Sequence, residues 1–101
     1  MDWLWTWGGT CFGYRDGDQL RTHDGRDVGR FHDDEVYGAD GRYLGELGDK
    51  DRLITRQSKL GRRKSPFSPR MARAGRVRRI NRIGRIMRIG CGDFPAPETL
   101  Q

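Results

Sequence analysis

The chain has 101 residues, 34% of them hydrophobic and 34% charged, and a formal net charge of +6. This length suits one domain, and the sequence has neither a signal-peptide pattern nor the ~18 consecutive apolar residues of a membrane span. Cys11 and Cys91 stand near opposite ends, without CxxC or metal-ligand spacing. We therefore expect a cytoplasmic protein with two free thiols, no metal, no cofactor and no membrane partner.

Charge divides the chain into two unlike halves. Residues 1–56 contain 8 Lys/Arg and 12 Asp/Glu, a net charge of −4, and residues 57–101 contain 12 Lys/Arg and 2 Asp/Glu, a net charge of +10. Four segments are predicted. They are a hairpin-repeat domain over 1–56, a basic Ser/Pro-containing linker over 57–75, a period-three Arg/Ile tail over 76–90 and a C-terminal end over 91–101.

One motif recurs at a spacing of sixteen residues in the first half. It reads DWLWTWGGTCFG from Asp2, DQLRTHDGRDVG from Asp18 and DEVYGADGRYLG from Asp34, and a degenerate copy begins at Asp51. Each full copy places two short runs around a Gly-Gly or Asp-Gly pair, which is the strongest local signal for a β-hairpin. The repeat predicts an all-β fold of about four packed hairpins. The clearest turn residues are Asp24, Gly25, Asp40 and Gly41.

The position of the turn predicts which residues face each other across a hairpin. A two-residue type I′ turn at the Asp-Gly pair would place Leu20 opposite Gly29, and Arg21 opposite Val28. The same rule sets a branched residue opposite a glycine in each full copy. Because such a pair weakens a strand unless another group approaches closely, we expect this face to point toward a crowded centre shared by the hairpins.

Three tryptophans alternate along the first predicted strand. Trp3, Trp5 and Trp7 have a period of two, so their indoles lie on one face. Three interpretations stay open. Another part of the same chain, above all the tail, covers this stripe, or the stripe is an interface with a partner, since Trp is enriched at binding hot spots. In the third, the indoles stack on nucleobases, although no basic residue lies between them.

The linker over 57–75 opens with QSKLGRRKSPFSPRMAR, which has Ser-Pro on both sides of Phe67. Two prolines within four residues disfavour a helix and a central strand. We expect a solvated connector with extended or turn structure. A short arm that contacts nucleic acid or a protein partner is the alternative.

The tail, GRVRRINRIGRIMRIGCG, repeats every three residues, with branched apolar residues in one series and arginines in another. Only a conformation with three residues per turn keeps such series straight. Long 3₁₀ runs are uncommon, so the pattern predicts an extended, polyproline-II-like tail. The apolar series is Val77, Ile80, Ile83, Ile86 and Ile89, and the arginine series is Arg76, Arg79, Arg82, Arg85 and Arg88.

The segment VYGADGRYLG, the sixteen-residue spacing and the triplet tail together resemble the four-fold β-flower family. Its members are small bacterial or phage-encoded chains whose hairpin "petals" surround a pseudo-four-fold axis. The resemblance covers about residues 1–90 and departs from the family in the fourth unit, where RLITRQSKLG lacks a clear Asp-Gly turn. It implies the petal fold and an extended tail, but it supplies no activity or ligand.

Two uses fit the tail. In the first, the apolar series lies in a groove of its own hairpins or of a neighbouring subunit. In the second, arginines spaced roughly 9 Å apart bind phosphates. Both hold together if the isoleucines face in and the arginines face out. The candidate interface comprises Trp3, Trp5, Trp7, Val77, Ile80, Ile83, Ile86 and Ile89. The candidate phosphate-binding residues are Arg62, Arg63, Lys64, Arg76, Arg79, Arg82, Arg85 and Arg88.

No arrangement in the sequence is typical of an active site. It has no Ser-His-Asp order, nucleophile elbow or phosphate-cradling glycine loop. We therefore predict no enzymatic activity and no catalytic residues. The predicted function is a non-enzymatic interaction or assembly module that self-associates. The alternative is nucleic-acid binding through the basic C-terminal segment, which would weaken steeply with salt.

Overall fold

The computed structural model describes residues 2–100, and its architecture is all-β. Seven strands follow one another as an antiparallel meander, and the sheet closes because the first strand also pairs in parallel with the seventh. An eighth strand extends the sheet from the seventh. The strands are β1 Asp2–Thr6, β2 Cys11–Asp16, β3 Gln19–Thr22, β4 Asp27–His32, β5 Glu35–Gly38, β6 Tyr43–Asp49, β7 Arg52–Arg56 and β8 Cys91–Asp93. Two short 3₁₀ turns lie at Gln57–Lys59 and Pro97–Thr99.

The centre of the closed sheet is the hydrophobic core. Leu4, Leu20 and Val36, which are equivalent in the sixteen-residue repeat, are at most 2% exposed. A Cβ on Gly29 would lie 2.9 Å from a methyl of Val36, and one on Gly45 would lie 2.6 Å from the Phe94 ring. The predicted crowded centre is therefore confirmed. The buried core residues are Leu4, Phe12, Leu20, Val28, Phe31, Val36, Leu53 and Phe94.

The register of the hairpins was predicted correctly only up to the bulge. Leu20 pairs with Gly29, as expected, but Arg21 pairs with Asp27 and not with Val28. The hairpins β1–β2 and β5–β6 shift register at the equivalent position. The predicted two-residue turn is therefore wrong.

The hairpin loops contain three residues. The N–H of Thr22 donates to the Arg26 carbonyl at 3.0 Å, and the N–H of Gly25 donates to the Thr22 carbonyl at 2.9 Å. Gly25 has a φ of +92°, and Gly9 and Gly41 occupy the equivalent place at +97° and +88°. This is the loop in which a type I turn is followed by a left-handed glycine, which forms a bulge. An Asp-Gly pair therefore located the turn but not its length.

Residues 64–90, called the strap below, run past these loops, and they contain no helix or strand between 64 and 88. The N–H groups of Lys64, Arg73 and Arg82 donate to the carbonyls of Gly41, Gly25 and Gly9 at 2.8, 3.0 and 2.8 Å. Those of Phe67, Arg76 and Arg85 donate to the carbonyls of Ala39, His23 and Trp7 at 3.1, 2.8 and 3.0 Å. Each step of nine residues on the strap therefore matches a step of sixteen on the sheet.

The strap begins inside the segment predicted to be a solvated connector. The guanidinium group of Arg30 lies 3.9 Å from the centre of the Phe67 ring, and the N–H of Arg70 donates to a carboxylate oxygen of Asp27 at 2.8 Å. Residues 64–70 are mostly exposed and contain no helix or strand, as expected of a connector, but they also bind the sheet. The prolines keep this stretch extended, and the sheet supplies its hydrogen-bond acceptors.

The C-terminal end, for which the sequence indicated no role, completes the core. Phe94 is 3% exposed and packs edge-on against Phe12, with ring centres 5.3 Å apart. The guanidinium group of Arg26 donates to the carbonyls of Leu100 and Pro97 at 2.6 and 3.0 Å. Over residues 2–100, no helix is long and apolar enough to cross a membrane.

Candidate interaction surface

From Arg70 to Gly90, the strap is made of seven consecutive triplets of the form Arg-apolar-x. The carbonyls of the second residues accept hydrogen bonds from side chains of the sheet. Trp5 and Trp7 donate through their indole N–H groups to the Ile80 and Ile86 carbonyls, each at 3.0 Å. Because the repeat has three residues, the backbone groups directed at the sheet recur on one side of the strap.

Two buried arginines extend this pattern of donors. Arg52 donates to the Ile83 carbonyl at 3.0 Å, and Arg21 donates to the Met71 carbonyl at 3.3 Å. Both guanidinium groups belong to residues that are at most 5% exposed. Nothing in the sequence indicated their role, because a lone arginine in a strand is ordinarily a solvated residue.

The second side chains of six of the triplets, all except the one with Ala74, point away from the sheet and form an exposed apolar row. Their exposed fractions run from 88% to 104%. The apolar row is Met71, Val77, Ile80, Ile83, Ile86 and Ile89. Within the chain, the predicted arrangement with isoleucines inward and arginines outward is therefore wrong. The sheet presents hydrogen-bond donors, carbonyls and ring faces to the strap, and these favour a polypeptide backbone and guanidinium groups over aliphatic side chains.

The arginines of the triplets lie over the aromatic side chains of the first hairpin. The guanidinium carbon of Arg82 is 3.6 Å from a ring centre of Trp5, and that of Arg88 is 4.5 Å from Trp7. Such stacking stabilises by ~0.5–2 kcal/mol per pair, depending on desolvation. Trp5 and Trp7 are 6% and 3% exposed, so the strap covers them and they are not available to a partner. Trp3 is half-buried.

Other strap arginines pair with aspartates at the turns between hairpins. Arg73 lies 3.0 Å from Asp16, and Arg85 lies 2.7 Å from Asp49. The backbone N–H of Lys50 and the nearby Arg85 charge lower the pKa of Asp49. Exposed ion pairs contribute little to stability, but they neutralise part of the positive charge of the strap.

The predicted phosphate-binding residues fall into two groups. Four have partners in the chain: Arg62 bonds to Glu35 at 3.0 Å, Arg82 to Asp51 at 2.5 Å and Arg88 to the Gly48 carbonyl at 3.1 Å, and Arg85 pairs with Asp49. Within residues 2–100, the other four have neither a carboxylate partner nor a side-chain hydrogen bond. These four are Arg63, Lys64, Arg76 and Arg79.

A polar cluster that the sequence did not indicate holds the 3₁₀ turn that precedes the strap. The ammonium group of Lys59 donates to Glu35 at 2.7 Å and to Glu46 at 2.8 Å. The hydrogen bond from Lys59 lowers the pKa of Glu35 below its usual range. Burial raises the pKa of Tyr43, whose hydroxyl donates to Glu46 at 2.8 Å. These contacts account for the buried carboxylates as structural groups.

Both cysteines are free thiols, as expected from their spacing. Cys11 is buried, its backbone N–H donates to the Asn81 side chain at 3.0 Å, and burial raises the pKa of its thiol. In the described part of the chain, no three His, Cys, Asp or Glu side chains are grouped so that they could hold a metal ion. Comparison with known proteins gave no match among family models, curated proteins or solved structures.

Proposed function

We propose that the chain is a non-enzymatic module that self-associates through the apolar row. The observation that carries this proposal is the exposure of six aliphatic side chains at regular spacing. Among residues 2–100, every other exposed large hydrophobic side chain except Leu60 also lies on the strap. Contiguous exposed apolar surface on a small protein marks an interaction site. Row residues 71 to 89 would extend over roughly 56 Å in a polyproline-II conformation.

The proposal includes the β-flower arrangement, with hairpins around a pseudo-four-fold axis and a polyproline-II strap around them. Three loops bind the strap through equivalent atoms, which supports the repeat. Nine residues of polyproline II span roughly 28 Å, so four such spans would close a ring roughly 36 Å across. The two longer dimensions of the molecule are 36 and 33 Å, which agrees with that ring.

The occupant of the apolar row in this proposal is the row of a second copy. No other face within residues 2–100 offers comparable aliphatic surface, so contact between copies is isologous, row against row. Full burial of a branched side chain contributes up to ~3 kcal/mol of free energy. At ~25 cal/mol per Å² of buried apolar surface, this corresponds to roughly 100 Å² per residue. Six residues and the flanking arginine methylenes approach the ~800 Å² per partner of a stable interface.

The positive charge of the strap makes contact between two copies depend on salt concentration. Residues 57–101 carry a net charge of +10, so two straps repel each other at low salt. The pairs of Arg73, Arg82 and Arg85 with aspartates of the same chain reduce that repulsion. Association should therefore strengthen as salt is added, which is the opposite of phosphate binding.

Sedimentation equilibrium of the full chain at several salt concentrations tests the proposal. The wild type should exceed the 11.7 kDa of one chain. The double variant Ile83→Ser/Ile86→Ser should fall to that mass and keep the thermal stability of the wild-type monomer, because both side chains are about 90% exposed or more. Leu60→Ser, exposed but outside the row, is the matched control. A monomeric wild type at all concentrations would contradict self-association.

A further inference from the structure

A cleft of about 670 Å³ lies between the strap and the first strand. Its size falls within the ~300–1,000 Å³ range of ligand sites. Two indoles and four guanidinium groups dominate its lining, together with aliphatic side chains of the row. These six residues are Trp3, Trp5, Arg76, Arg78, Arg79 and Arg82. No other described cleft combines indoles with several arginines.

Two of these arginines are held in place without using their hydrogen-bond donors. The guanidinium carbon of Arg79 is 5.0 Å from the centre of Trp3, and that of Arg76 is 5.6 Å from Tyr14. Stacking uses the face of a guanidinium group and leaves its N–H donors free at the edge. Arg82 differs, because its guanidinium group already pairs with the carboxylate of Asp51 at an N···O distance of 2.5 Å.

We propose that this cleft binds single-stranded nucleic acid. Arg76 and Arg79 contact phosphates, and a base packs against the part of the half-buried Trp3 indole that Arg79 and Tyr14 leave exposed. The two arginines are three residues apart, roughly 9 Å in an extended strap. A flexible single strand can place two phosphates at that separation. Its unstacked bases can also reach an indole, which those of a duplex cannot.

The Trp3 indole favours single-stranded nucleic acid over an acidic peptide as the ligand. Arginine edges bind carboxylate and phosphate alike, but a carboxylate side chain has no aromatic surface for Trp3. The general positive charge of residues 57–101, net +10, would attract either polyanion. Selectivity for an unpaired, base-containing strand therefore defines the site.

Fluorescence anisotropy with a labelled oligothymidylate of about twelve nucleotides tests the proposal, since such a strand covers an ordinary single-strand site. The wild type should bind the oligothymidylate more tightly than a duplex or a polyglutamate of similar charge. Arg76→Gln/Arg79→Gln should weaken binding at least tenfold and lower the salt slope by about 1.4. Trp3→Leu should weaken it by roughly five- to a hundredfold.

The matched control is Arg63→Gln/Arg70→Gln, which removes two exposed arginines outside the cleft. Equal weakening by this control would show diffuse attraction and overturn the proposal, as would polyglutamate or duplex binding as tight as that of the oligothymidylate. Absence of binding by the wild type would also overturn it. Binding by the Ile83→Ser/Ile86→Ser variant should be at least as tight as that of the wild type, because Val77 and Ile80 of the apolar row also line the cleft. Weaker binding by this variant would overturn the proposal.

Discussion

The sheet and the strap both carry regularly spaced apolar side chains, but these face inward in the sheet and outward in the strap. In the sheet, strands bond to one another and the repeated leucines and valine face inward, at most 2% exposed. In the strap, the backbone bonds to the sheet through every third residue at most of its triplets, and the aliphatic side chains face solvent, at least 88% exposed. Periodicity thus identifies residues that share a face. Whether that face is buried depends on where the backbone finds its hydrogen bonds.

The largest expected effect comes from the glycines where the two regions meet. A Cβ on Gly25 would overlap the Arg73 carbonyl and would also require a left-handed φ of +92°. We expect Gly25→Ala to lower the free energy of unfolding by about 3 kcal/mol or more, from backbone strain plus the displaced strap. Urea unfolding followed by tryptophan fluorescence measures this.

Gly17→Ala is the matched control for that substitution. Gly17 also has a positive φ, +63°, but nothing lies within 4 Å of its added Cβ. Gly17→Ala should therefore lower the free energy of unfolding only by the about 1–2 kcal/mol that a left-handed φ costs a residue with a Cβ. Equal losses for the two variants would mean that the strap does not press on the loop.

A smaller effect is expected for the indole donors. Trp5→Phe removes the hydrogen bond to the Ile80 carbonyl and part of the stacking surface for Arg82. Stability should fall by about 1–3 kcal/mol, since a buried acceptor loses its donor. Trp3→Phe, which removes no such hydrogen bond, should cost less. The thermal midpoints of the two variants give the comparison, and a reversed order would contradict the strap contact.

The smallest effect is the change of stability with pH that comes from the polar cluster around Lys59, just before the strap. The pKa of Glu35 is lowered by its hydrogen bond from Lys59, so the folded state binds this proton less readily than the unfolded state. The contribution to stability is present above the unfolded pKa, near 4.5, and is lost as pH falls through the folded value. Glu35→Gln should reduce the change of the urea midpoint with pH between about pH 3 and 6. An unchanged pH profile would argue against the pair.

Much of the sheet could be predicted from the repeat. The pairing of Leu20 with Gly29 followed from the spacing of the Asp-Gly pair, and the inward face followed from alternation. The pairing of Arg21 with Asp27 did not follow, because Asp-Gly occurs in two-residue turns and in longer bulged loops alike. Phe94 escaped prediction because a single apolar residue has no period to reveal the surface it packs on.

The strap was predictable in its period but not in its orientation. Triplets predicted that Ile80, Ile83 and Ile86 share one side, and their equal exposure agrees. The orientation depends on distant donors such as the Trp5 indole and the Arg21 guanidinium group, which no local pattern of the strap encodes. The binding of the Ser-Pro segment to a hairpin loop, through the N–H groups of Lys64 and Phe67, was missed for the same reason.

Amide hydrogen exchange along the strap, measured by NMR residue by residue, tests most directly how the two regions are joined. The predicted result is protection at every third residue, with fast exchange between them, because the N–H groups at this period donate to the sheet. The protected amides should be those of Lys64, Phe67, Arg70, Arg73, Arg76, Arg79, Arg82 and Arg85. Uniformly fast exchange from 64 to 88, or protection without this period, would contradict the docked strap and its outward apolar row.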